Sequence, residues 1–274
     1  DSRPIILIDM ARIFDEFVTI LGDIKIFRWP LWVVYDPSSY RVRGAECRKI
    51  LDMLEPGDIL LRHYDGYLDN LFIPGVFSHG AIYLGEVTES DRASIPASGS
   101  ATRSFETGPA MVAHSTAKGV HLEDVLTFLR CDDVAVVRLP DLLERIGKPL
   151  ETIPAPLHPT EQALVDILAS GGSVTRAQAV SVARQVALGR LGTAYDFAFD
   201  FQCGNRMSCT EFVKHCYRSV NAALNVTPRP QSLLWGLTNR EIIEPDDFVR
   251  EPMKLLHASE EANLKLRRAR RLSL

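Results

Sequence analysis

Residues 77–85 read FSHGAIYLG, and this stretch decides the class of fold. Its period-2 alternation places His79, Ala81 and Tyr83 on one face of a strand, with Gly80 among the residues on the other face. The small residues that follow His79 leave room for another element to approach the backbone. We therefore predict a β-strand that begins at His79 and lies within a buried sheet.

Other strands gather in the first half of the chain, and helices follow in the second half. Short apolar runs at 58–62, 110–115 and 134–139 are rich in branched or small residues, which is typical of strands. Helical spacing of apolar residues covers 160–170 and 175–190. This order favours an α+β fold with an antiparallel sheet over a doubly wound parallel sheet.

The chain divides into three predicted parts. Residues 1–54 show helical spacing and are predicted to form a helical N-terminal extension. Residues 55–250 contain the strands and the central helices, and residues 251–274 are predicted to form a charged C-terminal helix or tail. Within the main part, residues 86–110 are rich in Ser, Thr, Gly and Pro, which indicates a long loop. Whether that loop serves as a lid is left open by its composition.

Composition excludes several classes of protein. A net charge of −4 gives no overall basic field, so we expect no nucleic-acid partner, and the basic run at 265–271 is interpreted as a solvated helix end. The longest apolar runs are far shorter than the ~20 residues of a membrane-spanning helix. Five cysteines in no regular pattern fit free thiols in a reducing compartment, so we expect a cytoplasmic location.

The candidate for chemistry begins at Ser208, where the sequence SCTE matches the S-x-x-E capping box of a helix start. This motif places Cys209 in the first turn of a helix. The positive end of the helix favours a thiolate, so we expect a lowered pKa for Cys209. The free N–H groups of the same turn are suited to holding an oxyanion. A small buried hydrophobe is the ordinary role of a cysteine at this position.

A thiol nucleophile also needs a base and a group that orients the base. His79 begins the strand described above, and His114 lies in a second predicted strand, MVAHS. We predict that the two strands are neighbours and that His114 orients His79. Taken singly, each histidine is as compatible with a structural role as with a catalytic one.

The order of these motifs resembles the permuted NlpC-type, papain-like amidases and peptidases, specifically the YiiX-like branch, with lecithin:retinol acyltransferase-like proteins as more distant relatives. Unpermuted relatives carry the cysteine before the histidine. The resemblance spans about residues 55–250 and is carried by these segments: PGDILLR (56–62), FSHGAIYLG (77–85), VAHSTAKGVHLEDVLTFLR (112–130), VAVVRL (134–139), LGTAYDFAFD (191–200) and SCTEFVKHCY (208–217).

The resemblance implies a permuted papain-like fold in which the sheet packs against the helix that carries Cys209. It implies that Cys209 is the nucleophile, that His79 is the general base and that His114 is the third member, at a position where YiiX-like proteins often carry Glu. The residues expected to line the substrate site are Tyr195, Asp196 and Ser208.

The implied reaction is acyl transfer to water through a cysteine acyl-enzyme, without a metal or cofactor. The expected substrate is a cell-wall-type peptide or amide, or a lipid acyl group.

Two other interpretations remain open. A zinc site formed by Cys203, Cys209, His215 and Cys216 lacks the close C-x2-C spacing of structural zinc sites. A catalytically silent papain-like domain that binds a peptide or lipid partner has the same sequence pattern, because a fold does not establish activity. We interpret the remaining histidines as surface or cap residues: His63, His121, His158 and His257.

Overall fold

The structure is a computed structural model that describes residues 40–65, 75–94, 106–147, 156–196, 205–233 and 238–272. The predicted N-terminal extension therefore lies largely outside the described residues. Its last part is helix α1 (Gly44–Met53), in agreement with the helical spacing of that segment.

The elements of the described residues follow in chain order. The strands are β1 (Ile59–His63), β2 (His79–Val87), β3 (Gly108–Thr116), β4 (Gly119–Asp124), β5 (Asp133–Arg138), β6 (Leu142–Glu144), β7 (Ser173–Thr175), β8 (Arg229–Leu233), β9 (Thr238–Ile242) and β10 (Lys254–Ala258). The helices after α1 are α2 (Glu89–Ser94), α3 (Val125–Phe128), α4 (Pro159–Ala169), α5 (Arg176–Gly189), α6 (Cys209–Cys216) and α7 (Glu260–Leu272). Short 3-10 helices cover Arg218–Ala223 and Pro245–Val249.

The main sheet has the strand order β10-β5-β1-β2-β3-β4 within the described residues, and every neighbouring pair is antiparallel. Strand β2 lies near the middle, between β1 and β3. The register places Ala81 opposite His114 and places His114 opposite His121 on the next strand. The predicted α+β class with an antiparallel sheet is confirmed.

Both faces of this sheet are covered, which explains why its strands are almost continuously apolar. Helices α4, α5 and α6 pack on one face, which we call the α6 face, and Ile82 and Val213 belong to its core. Helices α1 and α3 pack on the other face, which we call the α1 face, and Ile50, Ala81 and Phe128 belong to its core. Alternate residues of each strand therefore enter different cores, as a period of two requires.

The structure differs from the sequence-based expectations in three segments. The predicted loop at 86–110 contains the end of β2, the short helix α2 and the start of β3, while residues 95–105 lie outside the described residues. The hairpin of β8 and β9 lies in a stretch for which the sequence analysis predicts neither a strand nor a helix. The segment 251–274 contributes β10 to the main sheet before its helix begins, so the boundary drawn at residue 250 separates a strand from its sheet.

A tight turn before β1 connects the sheet to the helices on the α6 face. Gly57 has φ +90°, and a Cβ built on it would lie 2.2 Å from Cγ2 of Val180 in α5. Its N–H donates to the carbonyl of Tyr83 at 2.7 Å, and its carbonyl accepts from the hydroxyl of Tyr217 at 2.5 Å. Only glycine combines this backbone conformation with such a close approach.

We expect Gly57→Ala to lower the free energy of unfolding by about 2–4 kcal/mol, because the left-handed conformation and the overlap with Val180 both oppose a Cβ. Gly171→Ala is the matched control, since Gly171 has φ +81° but open space around it. It should cost only about 1–2 kcal/mol. Chemical denaturation of the two variants measures the difference, and equal losses would show that the packing against Val180 is irrelevant.

Candidate active site

Helix α6 begins as the capping box predicts. The Ser208 side chain accepts a hydrogen bond from the N–H of Glu211 at 3.4 Å, and the N–H of Ser208 donates to Oε2 of Glu211 at 2.5 Å. Cys209 is therefore the first residue of the helix, as predicted. Ser208 is 1% exposed and uses both its groups in the cap. The structure thus shows Ser208 as the cap of α6, and its predicted contact with substrate stays a prediction.

The N-terminus of α6 meets the sheet at Gly80. A Cβ placed on Gly80 would lie 3.8 Å from Cγ2 of Val213, which is ordinary van der Waals contact, so α6 packs directly over this part of the strand. The thiol of Cys209 is 2% exposed, and the backbone N–H of Gly80 interacts with it. The sulfur therefore lies beside the residue that directly follows His79 in the chain.

The expected lowering of the Cys209 pKa is wrong for this arrangement. Burial raises the pKa of this thiol to about 11, and backbone N–H groups, including those of Gly80 and Thr210, offset only part of the effect. The charge of Glu211 raises the pKa further. Desolvation therefore outweighs the positive end of the helix, and the resting cysteine is a neutral thiol.

The structure brings the two predicted histidines together. Nε2 of His79 and Nδ1 of His114 are 2.9 Å apart, and the two rings meet nearly edge to face. Burial, followed by neighbouring charges that include Arg62, holds the pKa of both histidines well below its ordinary value. Both rings are therefore neutral near pH 7, and one of the two facing nitrogens donates its proton to the other.

The histidine pair and the helix of Cys209 belong to different faces of the sheet. His79 and His114 lie on the α1 face, where the rings of both contact Phe128 at centroid distances of 6.0 and 5.6 Å. Cys209 approaches from the α6 face. In the described part of the chain, no hydrogen bond joins the sulfur of Cys209 to either histidine. His79 is half-buried and is the first residue of its strand, so its ring lies at the end of β2 rather than in its middle.

The segment that leads into α6 is anchored on both sides. The hydroxyl of Ser115 on β3 donates to the carbonyl of Met207 at 2.6 Å, and the N–H of Met207 donates to the carbonyl of Ala194 at 2.9 Å. Tyr195 and Asp196 follow Ala194 directly, so they start from a segment bound to the entrance of the helix. Asp196 is buried, whereas Tyr195 is half-buried. Their predicted role in lining the site stays a prediction.

The sequence analysis did not assign three residues that lie beside the histidine pair to the site: Arg62, His121 and Glu123. The ring of His121 lies 4.4 Å from that of His114, so its interpretation as a surface or cap residue is wrong. Oε2 of Glu123 lies 3.7 Å from Nε2 of His114 and 3.4 Å from Nη1 of Arg62. The feature that could have identified them is the hairpin of β3 and β4, whose register pairs His114 with His121.

The remaining histidines have other partners. The side chain of His158 caps α4, as predicted, and Nε2 of His257 lies 2.9 Å from Oε1 of Glu46. His63 is half-buried, with Nε2 3.2 Å from a carboxylate oxygen of Asp65.

The described residues of the alternative zinc site do not converge on one point. His215 accepts a hydrogen bond from Nε of Arg190 at 2.9 Å, and Cys216 is buried in the core of the α6 face. Cys203 lies outside the described residues. Among the residues that the structure describes, no group of three His, Cys, Asp or Glu side chains is placed to hold a metal ion.

Buried neutral histidines make folding sensitive to acid. Because the folded-state pKa of His79 and of His114 is depressed, their contribution to stability is present above the unfolded pKa of about 6.5 and is lost as the pH falls below it. Each histidine that stays neutral while its unfolded counterpart is protonated lowers the free energy of unfolding by about 1.4 kcal/mol per pH unit.

We expect His114→Gln to reduce this slope between about pH 6.5 and 5, because one buried imidazole no longer resists protonation. The free energy of unfolding is measured by urea denaturation at several pH values. His158→Asn, which keeps a capping side chain at an exposed position, should retain the wild-type slope. An unchanged slope in His114→Gln would mean that this histidine is not held neutral.

Comparison with known proteins identifies a family and a similar solved structure. Residues 53–255 match the family described as "Permuted papain-like amidase enzyme, YaeF/YiiX, C92 family". The chain is similar to the crystal structure of the metalloprotein yiiX from Escherichia coli O157:H7, with 14% sequence identity and a TM-score of 0.40. That match covers 74% of this chain and 96% of the other. No curated protein matches the sequence.

Two further observations bear on the surroundings of the site. No helix in the described part of the chain is long and apolar enough to cross a membrane. A surface cavity of about 420 Å³ is lined by residues that do not belong to the candidate site: Glu55, Pro56, Asp141, Thr175, Arg176, Ala177 and Val180.

Proposed function

Because this chain belongs to the permuted papain-like amidase family, we propose that it is a cysteine hydrolase in which Cys209 is the nucleophile, His79 is the general base and His114 orients the base. The observation that carries this proposal is the hydrogen bond of 2.9 Å between Nε2 of His79 and Nδ1 of His114. It uses the Nε2 atom of His79 and leaves Nδ1 for the thiol. The sulfur lies beside the next residue of the same strand.

The neutral state of these groups supports a general-base mechanism rather than a resting thiolate. With the pKa of the Cys209 thiol near 11 and that of His79 depressed, a resting ion pair is unfavourable. The proton of the thiol moves to Nδ1 of His79 as the sulfur attacks the carbonyl carbon. This step requires the His79 ring to turn towards the sulfur, and resting contacts of this kind are often long.

The rest of the reaction follows from the same two residues. The oxyanion of the tetrahedral intermediate is held partly by the N–H of Cys209 at the start of α6. His79 then gives its proton to the leaving amine, the C–N bond breaks and an acyl-enzyme remains on Cys209. Water attacks the thioester as His79 accepts the water's proton, and the carboxylic acid leaves as the thiol is restored.

We propose amides as the main substrates, since the family is one of amidases. The amide would be of the peptide or cell-wall type, and lipid acyl groups are the second class. A pair of chromogenic substrates with the same acyl group, one an anilide and one a phenyl ester, distinguishes the two. Repeating the pair with a long acyl chain in place of a short one tests for a lipid.

The rate of alkylation tests the protonation state of the nucleophile. We expect the rate constant for iodoacetamide at Cys209 to rise by about tenfold for each pH unit across the neutral range, because the thiolate fraction grows until the pH reaches the pKa. Peptide mass spectrometry separates Cys209 from Cys47, which is half-buried and serves as the internal reference. A rate that is constant between about pH 6 and 8 would indicate a resting thiolate and contradict the general-base mechanism.

Substitution of the two reacting residues tests the hydrolase itself. We expect Cys209→Ala to abolish hydrolysis of the anilide, and His79→Ala to lower kcat by about 10²- to 10⁴-fold because the general base is lost. His257→Ala is the matched histidine control, since its partner is Glu46 rather than the site. Hydrolysis that survives both Cys209→Ala and His79→Ala would refute the assignment.

The burial of Cys209, together with the missing hydrogen bond to His79, favours one alternative. A catalytically silent domain that binds a peptide or lipid partner needs no exposed thiol. The same measurements distinguish the two functions. A silent domain would show no hydrolysis of any of the chromogenic substrates.

A further inference from the structure

We propose that Glu123 is a positioning residue that fixes the tautomer of His114 and, through His114, the tautomer of His79. The inference rests on the proposed function, because it concerns the base of the same reaction. It assigns a role to a carboxylate on β4 that lies one strand beyond the histidine pair.

The first observation is an unused nitrogen. His114 is 1% exposed, and its Nδ1 faces Nε2 of His79 at 2.9 Å. Its other nitrogen, Nε2, is buried and makes no hydrogen bond with any described residue. A buried polar atom without a partner costs free energy, so a group suited to accept from it is expected nearby. Oε2 of Glu123 lies 3.7 Å away.

The chemistry of the base requires one particular arrangement of protons. For Nδ1 of His79 to accept the proton of the thiol, it must be unprotonated, so the neutral ring carries its proton on Nε2. That proton is donated to Nδ1 of His114. Neutral His114 then carries its own proton on Nε2, which points towards Glu123. A carboxylate accepts hydrogen bonds and cannot donate them, so it selects this tautomer.

The neighbouring histidine cannot replace the carboxylate in this role. Nδ1 of His121 lies 2.9 Å from the carbonyl oxygen of Gly119, and a carbonyl only accepts. His121 therefore carries its proton on Nδ1, and its Nε2 is left as an acceptor. Its ring is tilted by 50° to that of His114, with 4.4 Å between the ring centroids, which is a ring contact rather than an in-plane hydrogen bond.

Arg62 holds Glu123 close to the histidine pair. Nη1 of Arg62 lies 3.4 Å from Oε2 of Glu123 and also donates to the carbonyl of Phe128 at 3.2 Å, while its guanidinium packs over the Phe128 ring at 4.2 Å. This buried cation disfavours protonation of both histidines. The side chain of Glu123 is 23% exposed and so has freedom to move. A shift of less than about 1 Å completes the hydrogen bond to His114.

In the chain of hydrogen bonds from His79 through His114 to Glu123, the carboxylate orients the rings. No proton passes to Glu123. As His79 becomes an imidazolium during attack, its Nε2–H bonds more strongly to His114, whose Nε2–H is already directed at the carboxylate. Carboxylates behind metal-bound histidines act in a comparable way, and their loss costs about 10- to 100-fold. We expect an effect of this size on kcat, with KM little changed because Glu123 does not contact substrate.

The test combines two readouts on the full chain. Nitrogen-15 NMR of labelled histidine rings reports which nitrogen of His114 is protonated, and hydrolysis of the anilide reports kcat and KM. Glu123→Gln should give a mixture of His114 tautomers and a kcat about 10- to 100-fold lower. Glu86→Gln, at an exposed position on β2, is the matched control and should behave as the wild type in both readouts.

A second variant separates the hydrogen bond from the charge beside Arg62. Glu123→Asp keeps the negative charge at this position of β4, but it withdraws the oxygen that faces His114 and Arg62 by about one methylene. We expect it to disturb the tautomer and kcat as Glu123→Gln does, with a smaller loss of stability. Wild-type tautomer and kcat in Glu123→Asp would show that charge alone matters and would overturn the inference.

The inference and the proposed function fail in different ways. If His79→Ala abolishes hydrolysis but Glu123→Gln leaves the His114 tautomer and kcat unchanged, Glu123 has no positioning role and the proposed function stands. If His79→Ala retains hydrolysis, the proposed function fails, and no dependence of catalysis on Glu123 through this base can hold. A tautomer that shifts in Glu123→Gln, together with a lower kcat, supports both.

Discussion

The contact between the start of helix α6 and Gly80 of strand β2 sets the position of everything else in the site. A Cβ on residue 80 would lie in ordinary van der Waals contact with Val213, so the helix packs directly over this part of the strand. The Ser208–Glu211 capping box fixes where the helix begins, and Ser115 holds the segment before it. The sulfur of Cys209 consequently lies beside the strand that carries His79. Both faces of the sheet are packed around this contact.

Desolvation determines the protonation state of the groups in the site. The thiol of Cys209 and the rings of His79 and His114 all lose water, which raises the cysteine pKa and lowers the histidine pKa values. The reacting groups are therefore neutral in the resting state, and the proton of the thiol moves to His79 only when the sulfur attacks the substrate. Such a site depends on the alignment of its base, because no standing thiolate compensates for a ring that points the wrong way. The hydrogen bonds that hold the rings therefore have more influence than the polarity of the helix end.

The permuted order of the chain has a structural consequence. The two histidines lie on neighbouring strands, β2 and β3, which come early in the chain. The proposed nucleophile comes later in the chain, on a helix packed on the opposite face. The α1 face holds the rings together with Arg62, Phe128 and Glu123, and the α6 face holds the hydrophobic helix. The strand between them separates the polar cluster from the larger apolar core. As a result, Arg62 and Glu123 lie beside the histidine pair but outside the larger apolar core of the α6 face.

Local sequence alone determined the strands that contain His79 and His114, the helix start at Cys209 and the antiparallel α+β class. These features follow from alternation, from capping and from the order of segments, which act over a few residues. The sequence did not reveal that His121 and Glu123 surround His114, because that depends on the register of the hairpin of β3 and β4. The pKa of Cys209 was also decided by the tertiary structure. A helix end predicts a lower value, but the burial of the thiol against Gly80 reverses the sign, and burial is a property of packing between distant segments.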